Sequence, residues 1–236
     1  MIDRYVHVTP RLEAALDLLS GYDSVADVGC DHGRLTAALL QRNACRRVIA
    51  TDISEPSLEK AKNLIDRIGK SDAVSFRAGD GLRVLEPNEC DAIAILGMGG
   101  TLMNRILDAC TIPLAGAKAI VLQPMRAQSD IRAYLYQNQY RIVADRIVYD
   151  HGRYYQIFKA EPGDSPDPIP DGFPESFFDV GYRSFSDRDP LLQKLCEQQL
   201  FTHEKRLRAA AGSDGERILA EKIRALRMIL DALKED

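Results

Sequence analysis

The chain has 236 residues, 45% hydrophobic and 28% charged, with a net charge of −4, enough for one core of about 150 to 200 residues plus an appendage. It has no apolar run long enough to span a membrane, its charge-interrupted N-terminus is unlike a signal peptide, and its five cysteines (30, 45, 90, 110, 196) form no CxxC pair, which argues against a zinc site or disulfide framework and fits a reducing cytoplasm. From residue 181 onward 11 Lys+Arg face 10 Asp+Glu, so the acidic excess lies before it, and a nucleic-acid partner would have to meet local basic patches.

"VTPRLEAALDLLS" reads as a helix, with Thr9 as cap, Pro10 in its first turn and Leu12, Leu16 and Leu19 on one face. "VADVG" (25–29) is a short strand, residues 33–43 a helix, "RVIATD" (47–52) a second strand, and "SEPSLEKAKNLIDRIG" a helix stopped by Gly69. "AVSFRAGD" and "DAIAILG" (91–97) are strands three and four, "TLMNRILDAC" a helix, "AKAIVLQP" strand five and "SDIRAYLYQNQ" a helix. "RIVADRIVYD" and "RYYQIFKAE" follow as two strands with no helix between them. Apolar strands alternating with amphipathic helices mean an α/β fold with a parallel sheet covered on both faces. Five such units closed by an antiparallel hairpin match the seven-stranded, Rossmann-like sheet of class I methyltransferases. A dehydrogenase would show a second mononucleotide-binding half there.

"EPGDSPDPIPDGFPE" (161–175), with five prolines, reads as an irregular linker. Two helices, about 190–211 and 214–234, end the chain. Cys196, Leu200, His203, Leu207 and Ala210 in the first, and Leu219, Ile223, Leu226, Leu230 and Leu233 in the second, are spaced 4, 3, 4, 3, the seam of an antiparallel coiled-coil hairpin. The expected organisation is a cofactor-binding domain over 1–160, a linker and packing segment over 161–188, and the hairpin over 189–236.

In such a sheet, ligands bind outside the carboxyl ends of the strands. Four stretches converge there. In "DVGCDHG" (27–33), Asp31 stands where a dinucleotide fingerprint has its middle glycine. A carboxylate repels a pyrophosphate and attracts an ammonium group, so Asp27 or Asp31 fits the methionine end of S-adenosylmethionine and not NAD. Asp52, 23 residues after Gly29, is placed to bind both ribose hydroxyls or to charge the next helix N-terminus. "AGDGL" (78–82) offers Asp80 to an adenine amine, though Gly-Asp-Gly is also a common turn. "GMGG" (97–100) interrupts a strand where a catalytic loop would sit, and its three glycines suggest close backbone approach to a substrate. The cofactor-binding candidates are Asp27, Gly29, Cys30, His32, Gly33, Asp52, Ile53, Gly79, Asp80, Gly81 and Gly97. The catalytic candidates are Asp31, Gly97, Met98, Gly99 and Gly100. His32 orients Asp31, touches substrate, or is simply a loop histidine. "DHGR" recurs at 150–153 between two strands, where Gly152 and Asp150 suffice for a turn.

"ADVGCDHGRL", "DISEPSLEKAK", "GDGL", "AILGMGG" and "VLQP", in this order before a helical hairpin, resemble the bacterial tRNA (adenine-22-N1)-methyltransferase family over almost the whole chain. The resemblance implies an S-adenosylmethionine-dependent enzyme that methylates N1 of an adenine in the D-arm of tRNA, with Arg34 where many relatives carry an aromatic. Asp31 is then the carboxylate facing the charge that develops on the base. Arg4, His7, Arg11, Arg34 and Arg126 are candidate RNA contacts, joined by "HEKRLR" (203–208), while Tyr182 and Phe185 either stack on bases or pack the hairpin. A cytoplasmic protein, monomeric and without metal, is expected. The other readings are methyl transfer to another RNA, a protein or a small molecule, and an idle RNA-binding scaffold that retains the cofactor fold.

Overall fold

The computed structural model describes residues 6–109, 114, 116–163, 172–209 and 214–234. It contains one seven-stranded sheet in the order β3-β2-β1-β4-β5-β7-β6. The strands are β1 (Ser24–Val28), β2 (Arg47–Asp52), β3 (Val74–Ala78), β4 (Ala92–Met98), β5 (Ala119–Pro124), β6 (Tyr140–Asp150) and β7 (Arg153–Pro162). The first five are parallel, and β7 joins β5 and β6 antiparallel, as the sequence predicts. The order reverses between β1 and β4, which opens a crevice at their carboxyl ends.

Alternation along the strands feeds two cores. Val25, Ala92, Ala94 and Val121 face helices α1 (Pro10–Leu19) and α2 (Arg34–Gln41), burying Leu16, Leu19, Leu35 and Leu39. Ala26, Val28, Ile93, Ile95, Ile120 and Leu122 face α4 (Gly100–Asp108) and α5 (Gln128–Gln137), burying Met103, Ile106, Leu107, Ile131 and Leu135. α3 (Glu55–Arg67) lies on β2 and β3. Thr9 caps α1 by accepting from the Leu12 amide, and Ser54 caps α3 by accepting from Ser57.

The second "DHGR" closes the β6–β7 hairpin. Asp150 pairs with Arg153, and the two residues between them, His151 (φ 46°) and Gly152 (φ 80°), both have positive φ, the signature of a tight type I′ turn.

The strand β7 runs on to Pro162, into the stretch read as linker, because Glu161 and Pro162 still pair with Arg141 and Tyr140. Residues 164–171 lie outside the described residues. The chain is then ordered by packing: a 3₁₀ turn at Glu175–Asp179 and the short helix α6 (Tyr182–Ser186) lie against β6 and α5. Beneath them is a buried polar knot. Arg132 donates to Asp145 (Nη2–Oδ2 2.8 Å), to Gln156 Oε1 (2.5 Å) and to the Phe178 carbonyl (2.5 Å), and stacks over Phe158. Gly181 covers this knot. A Cβ there would lie 2.4 Å from both Arg132 Nε and Asp145 Oδ2.

The final helices, α7 (Leu192–Ala209) and α8 (Asp214–Ala232), pack on each other as a hairpin. Ile223 and Leu226 lie buried on the expected seam, as does Cys196, whereas Ala210 lies outside the described residues. Leu192, Leu195 and Ile229 are buried as well, because one end of the hairpin also packs on Ile147, Phe177 and Val180. Tyr182 and Phe185 belong to this cluster, which gives them a packing role. His203 sits half-buried on the seam, and desolvation with Lys222 nearby lowers its pKa.

Candidate active site

A cavity of about 750 Å³ opens at the carboxyl ends of β1 to β4, lined by all four predicted stretches. It contains Asp27, Gly29, Cys30, Asp31, His32, Asp52, Ile53, Gly79, Asp80, Gly81, Gly97 and Met98, together with Arg11 and Arg34. Gly33 lies just behind the first loop, where its missing side chain lets α2 approach α3. A Cβ would come within 2.8 Å of Ala61 Cβ. Gly99 and Gly100 start α4. Gly100 is buried, and a Cβ there would meet the Ala127 carbonyl oxygen at 2.6 Å, so packing accounts for it. Arg126 lies beside Gly99 on the surface, and His7 is exposed; neither lines the cavity. Arg4 lies outside the described residues.

Asp52 holds the first two loops together. Its Oδ2 accepts from the Asp31 amide and its Oδ1 from the Ser54 amide, both at 2.9 Å. The Asp31 backbone is left-handed (φ 49°), which leaves its side chain 74% exposed, 3.5 Å from the His32 ring. Lys60 approaches the same ring at 3.4 Å. A carboxylate offers about four lone-pair positions, so Asp52 retains acceptor capacity after two amides are satisfied.

Asp27 is buried under the loop. Its Oδ2 accepts from the Thr36 hydroxyl at 2.7 Å, and the Thr36 amide also donates to it, so it ties β1 to the first turn of α2. Burial pushes its pKa up to about 6 against these hydrogen bonds. The neighbouring Cys30 thiol is driven far up by burial and by the Asp27 charge, which keeps it neutral.

The glycine-rich stretch is not a free loop. Gly97 and Met98 belong to β4, and the pairing with β5 slips between Leu96 and Met98. Gly97 forms this bulge with φ 75°, and a Cβ there would meet nothing within 4 Å. Bulges beside active sites re-aim the strand. Here the freed Gly97 amide donates to the buried side chain of Gln123 at 3.2 Å. Met98 turns back over Gly29, so close that a Cβ on Gly29 would lie 2.2 Å from its methyl.

Sequence reasoning missed the wall opposite these loops. Thr9 and Leu12 from α1, Leu102 and Ile106 from α4, and Met125 after β5 supply it. The signal was the "QP" at the end of β5: Gln123 is a buried amide in an apolar strand, and a buried polar side chain has partners to hold.

The donor set suits a positively charged nucleoside. Four carboxylates border the cavity, and one of them, Asp31, stands where a pyrophosphate would need a bare backbone. S-adenosylmethionine fits these residues, and NAD does not. Among the described residues no cluster of His, Cys, Asp or Glu could hold a metal, and no helix is long and apolar enough to cross a membrane.

Residues 8–158 match the family described as "Methyltransferase domain". The tRNA (adenine(22)-N(1))-methyltransferase of Bacillus subtilis is 32% identical over 157 residues, 66% of this chain and 66% of that protein, so the match spans just under two thirds of the relative's length. The crystal structure of the B. subtilis M1A22 tRNA methyltransferase TrmK superimposes with a TM-score of 0.84 at 28% identity, covering 96% of this chain and 100% of that one. Streptococcus pneumoniae Sp1610, solved in complex with S-adenosyl-L-methionine, gives 0.84 at 26% identity over 95% of this chain and 100% of that chain. The seven-stranded sheet, the acidic crevice at its switch point and the match over residues 8–158 agree: the chain belongs to the methyltransferase-domain family.

Proposed function

We propose that this chain methylates N1 of an adenine in tRNA, position 22 of the D-arm, using S-adenosylmethionine. The observation that carries the reading is the crevice itself, four carboxylates arranged around a glycine-lined cavity where β1 and β4 part. The likeness to the B. subtilis enzyme over both sequence and fold supports the substrate.

When bound, S-adenosylmethionine supplies an electrophilic methyl group on a positively charged sulfur. In this reading Asp52, already fixed by two amides, accepts from the ribose hydroxyls, and Asp80 from the adenine amine, with Ile53 flanking the ring. N1 of the target adenine carries its own lone pair, so the chain needs no general base. Its work is to position the base and balance charge. Asp31, exposed at the mouth, faces the positive charge that methylation places on the base. The backbone at Gly97 and Met98 meets the Watson–Crick edge, with Met98 as its apolar contact, while Gly99 and Gly100 start the helix behind it. That edge is paired or stacked in folded RNA, so the target nucleotide must leave its stack to enter. Arg34 and Arg126, with Arg4 and His7, guide the RNA backbone toward the mouth. Residues 1–160 carry the chemistry, 161–188 attach the hairpin, and 189–236 form it. A tRNA substrate places the protein in the cytoplasm, and a monomer suffices because every proposed group comes from one chain.

The test is to incubate the protein with labelled S-adenosylmethionine and unmodified tRNA transcripts and map the product by reverse-transcription stops. A stop at adenine 22 is the expected result. Label on N6, on guanine or on no RNA defeats the proposal.

A further inference from the structure

The register of the sheet places the tip of the β6–β7 hairpin beside the mouth of the cavity. Ile120, Val121 and Leu122 of β5 pair with Ala160, Lys159 and Phe158 of β7, which brings Pro124, the last residue of β5, level with Gln156. The pairs that follow are Val148 with Tyr155, Tyr149 with Tyr154 and Asp150 with Arg153. They run on past the carboxyl ends of the parallel strands by about 10 Å, at about 3.4 Å per residue. β7 is the second strand from β4. A direct contact joins the tip to the cavity. Arg11, which lines the cavity and donates to Gln123 at 3.2 Å, sits with Cζ 5.0 Å from the centre of the Tyr155 ring.

Alternation turns Tyr149 and Tyr154 to the face of the ribbon opposite Tyr155. Their ring centroids lie 4.9 Å apart, with the planes tilted by 50°. Tyr154 packs on the cluster of Ile147, Phe177 and Leu192 that seats the helical hairpin, so its ring is held in place. Tyr149 leans on that ring and stays 52% exposed. The charges nearby favour an anion. Asp150, the one acid from Val148 to Tyr155, is buried and accepts from His151 Nδ1 at 2.5 Å. His151 and Arg153 are exposed. An anchored aromatic ring flanked by cations is the combination that holds an unstacked nucleotide, with the ring on the base and the cations on the phosphate.

We propose that this tip is a stacking platform for a nucleotide adjoining the target adenine, with Tyr149 under its base and His151 and Arg153 at its phosphate. This rests on the tRNA reading of the cavity. A target base that leaves its stack deprives its neighbours of a stacking partner, and Tyr149 supplies one at the edge of the mouth.

The test compares Tyr149→Ala, Tyr149→Phe and Arg153→Ala in the full chain, with unmodified tRNA transcripts as substrate. Tyr149→Ala should raise the KM for tRNA about 5- to 100-fold, the range of one base–aromatic stack. Its kcat should stay within about threefold, because the contact holds substrate and transition state alike. Tyr149→Phe keeps the ring and should stay within about twofold of wild type. Arg153→Ala should lower the salt slope of tRNA binding by about one. Transcripts with one abasic site on either side of the target adenine identify the stacked base. At that position the wild-type loss should match that of Tyr149→Ala, and combining the two should add nothing further. Calorimetry with S-adenosylhomocysteine should be unchanged for every variant and reports that each is folded. A normal KM in Tyr149→Ala overturns the inference. So do equal losses in the alanine and phenylalanine variants, losses that add at both abasic positions, or loss of cofactor binding along with tRNA binding. A dimer that Tyr149→Ala splits in sedimentation assigns the ring to a second copy of the chain and overturns it too. Wild-type activity on the same transcripts separates the two possible failures: a wild-type chain that methylates no tRNA overturns the proposed function and this inference with it, whereas an active wild type with an unaffected Tyr149→Ala overturns this inference alone.

Discussion

Arg132 and Asp145 form an ion pair sealed from solvent, 2.8 Å apart with each side chain 1% exposed. The pair is covered by Gly181 and shared with Gln156 and the Phe178 carbonyl, so it joins α5, β6, β7 and the segment that carries the hairpin. Removing one partner leaves a buried charge unpaired, which costs about 3–5 kcal/mol. We predict that Arg132→Ala loses that much stability in urea denaturation. Asp145→Leu combined with Arg132→Met should recover most of it, since an apolar pair of similar volume is often as stable. Equal losses in the single and double variants would contradict this account.

Two glycines at the site should respond differently to the same substitution. Gly33→Ala drives a methyl into Ala61 on α3 and also strains a left-handed backbone (φ 70°), so it should lower the melting temperature by several degrees, because overpacking alone costs about 1–3 kcal/mol. Gly97→Ala meets no neighbour, so its cost to stability is the left-handed backbone alone, about 1–2 kcal/mol. Its methyl projects where the strand is re-aimed, and kcat should fall at least tenfold. A Gly97→Ala enzyme with normal turnover would remove this residue from the substrate side.

Asp27 makes stability depend on pH in a definite direction. Its pKa rises from 3.8 unfolded to about 6 folded, so the native state holds the proton more tightly. The stabilisation is full below about pH 4 and is lost as pH rises to about 6. Two units correspond to about 3 kcal/mol. Asp27→Asn should abolish this slope, and urea denaturation at pH 4 to 7 reads it. Parallel profiles for wild type and variant would show that Asp27 does not set it.

Asp52 binds two loop amides and, in the proposed reading, a ribose. Asp52→Asn keeps one oxygen and turns an NH₂ toward an amide donor. We predict about 10- to 100-fold weaker S-adenosylmethionine binding, from one or two lost hydrogen bonds, with a melting temperature within a few degrees of wild type. Calorimetry and thermal melts check the two halves separately.

Much of this was legible in the sequence. Strand and helix order followed from hydrophobic period, and the loops at 27–33, 52–53, 79–81 and 97–98 followed from a switch-point rule that needs only strand order. What escaped were contacts between distant segments. Nothing local says that the "QP" of β5 reaches back to Arg11, or that Gly181 seals Arg132 against Asp145. The glycines at 97–100 read as a loop approaching a substrate, and not as a bulge within β4, because its cause is a side-chain acceptor from the neighbouring strand that replaces the ladder partner. Gly33 and Gly100 show the converse: a glycine near a site serves helix packing as readily as it makes room for a ligand.

The wall built by α1 has a consequence for how the protein is made. Arg11 and Gln123 lie 112 residues apart in sequence, and the lining of the cavity runs from Thr9 to Met125. A nascent chain on the ribosome carries the glycine loops long before β5 emerges, yet it cannot complete the cavity until both ends of the domain meet. Ligand stabilises only the state that binds it. Cofactor in the cell therefore protects finished copies from unfolding and proteolysis, and gives no such protection to a chain truncated before β5.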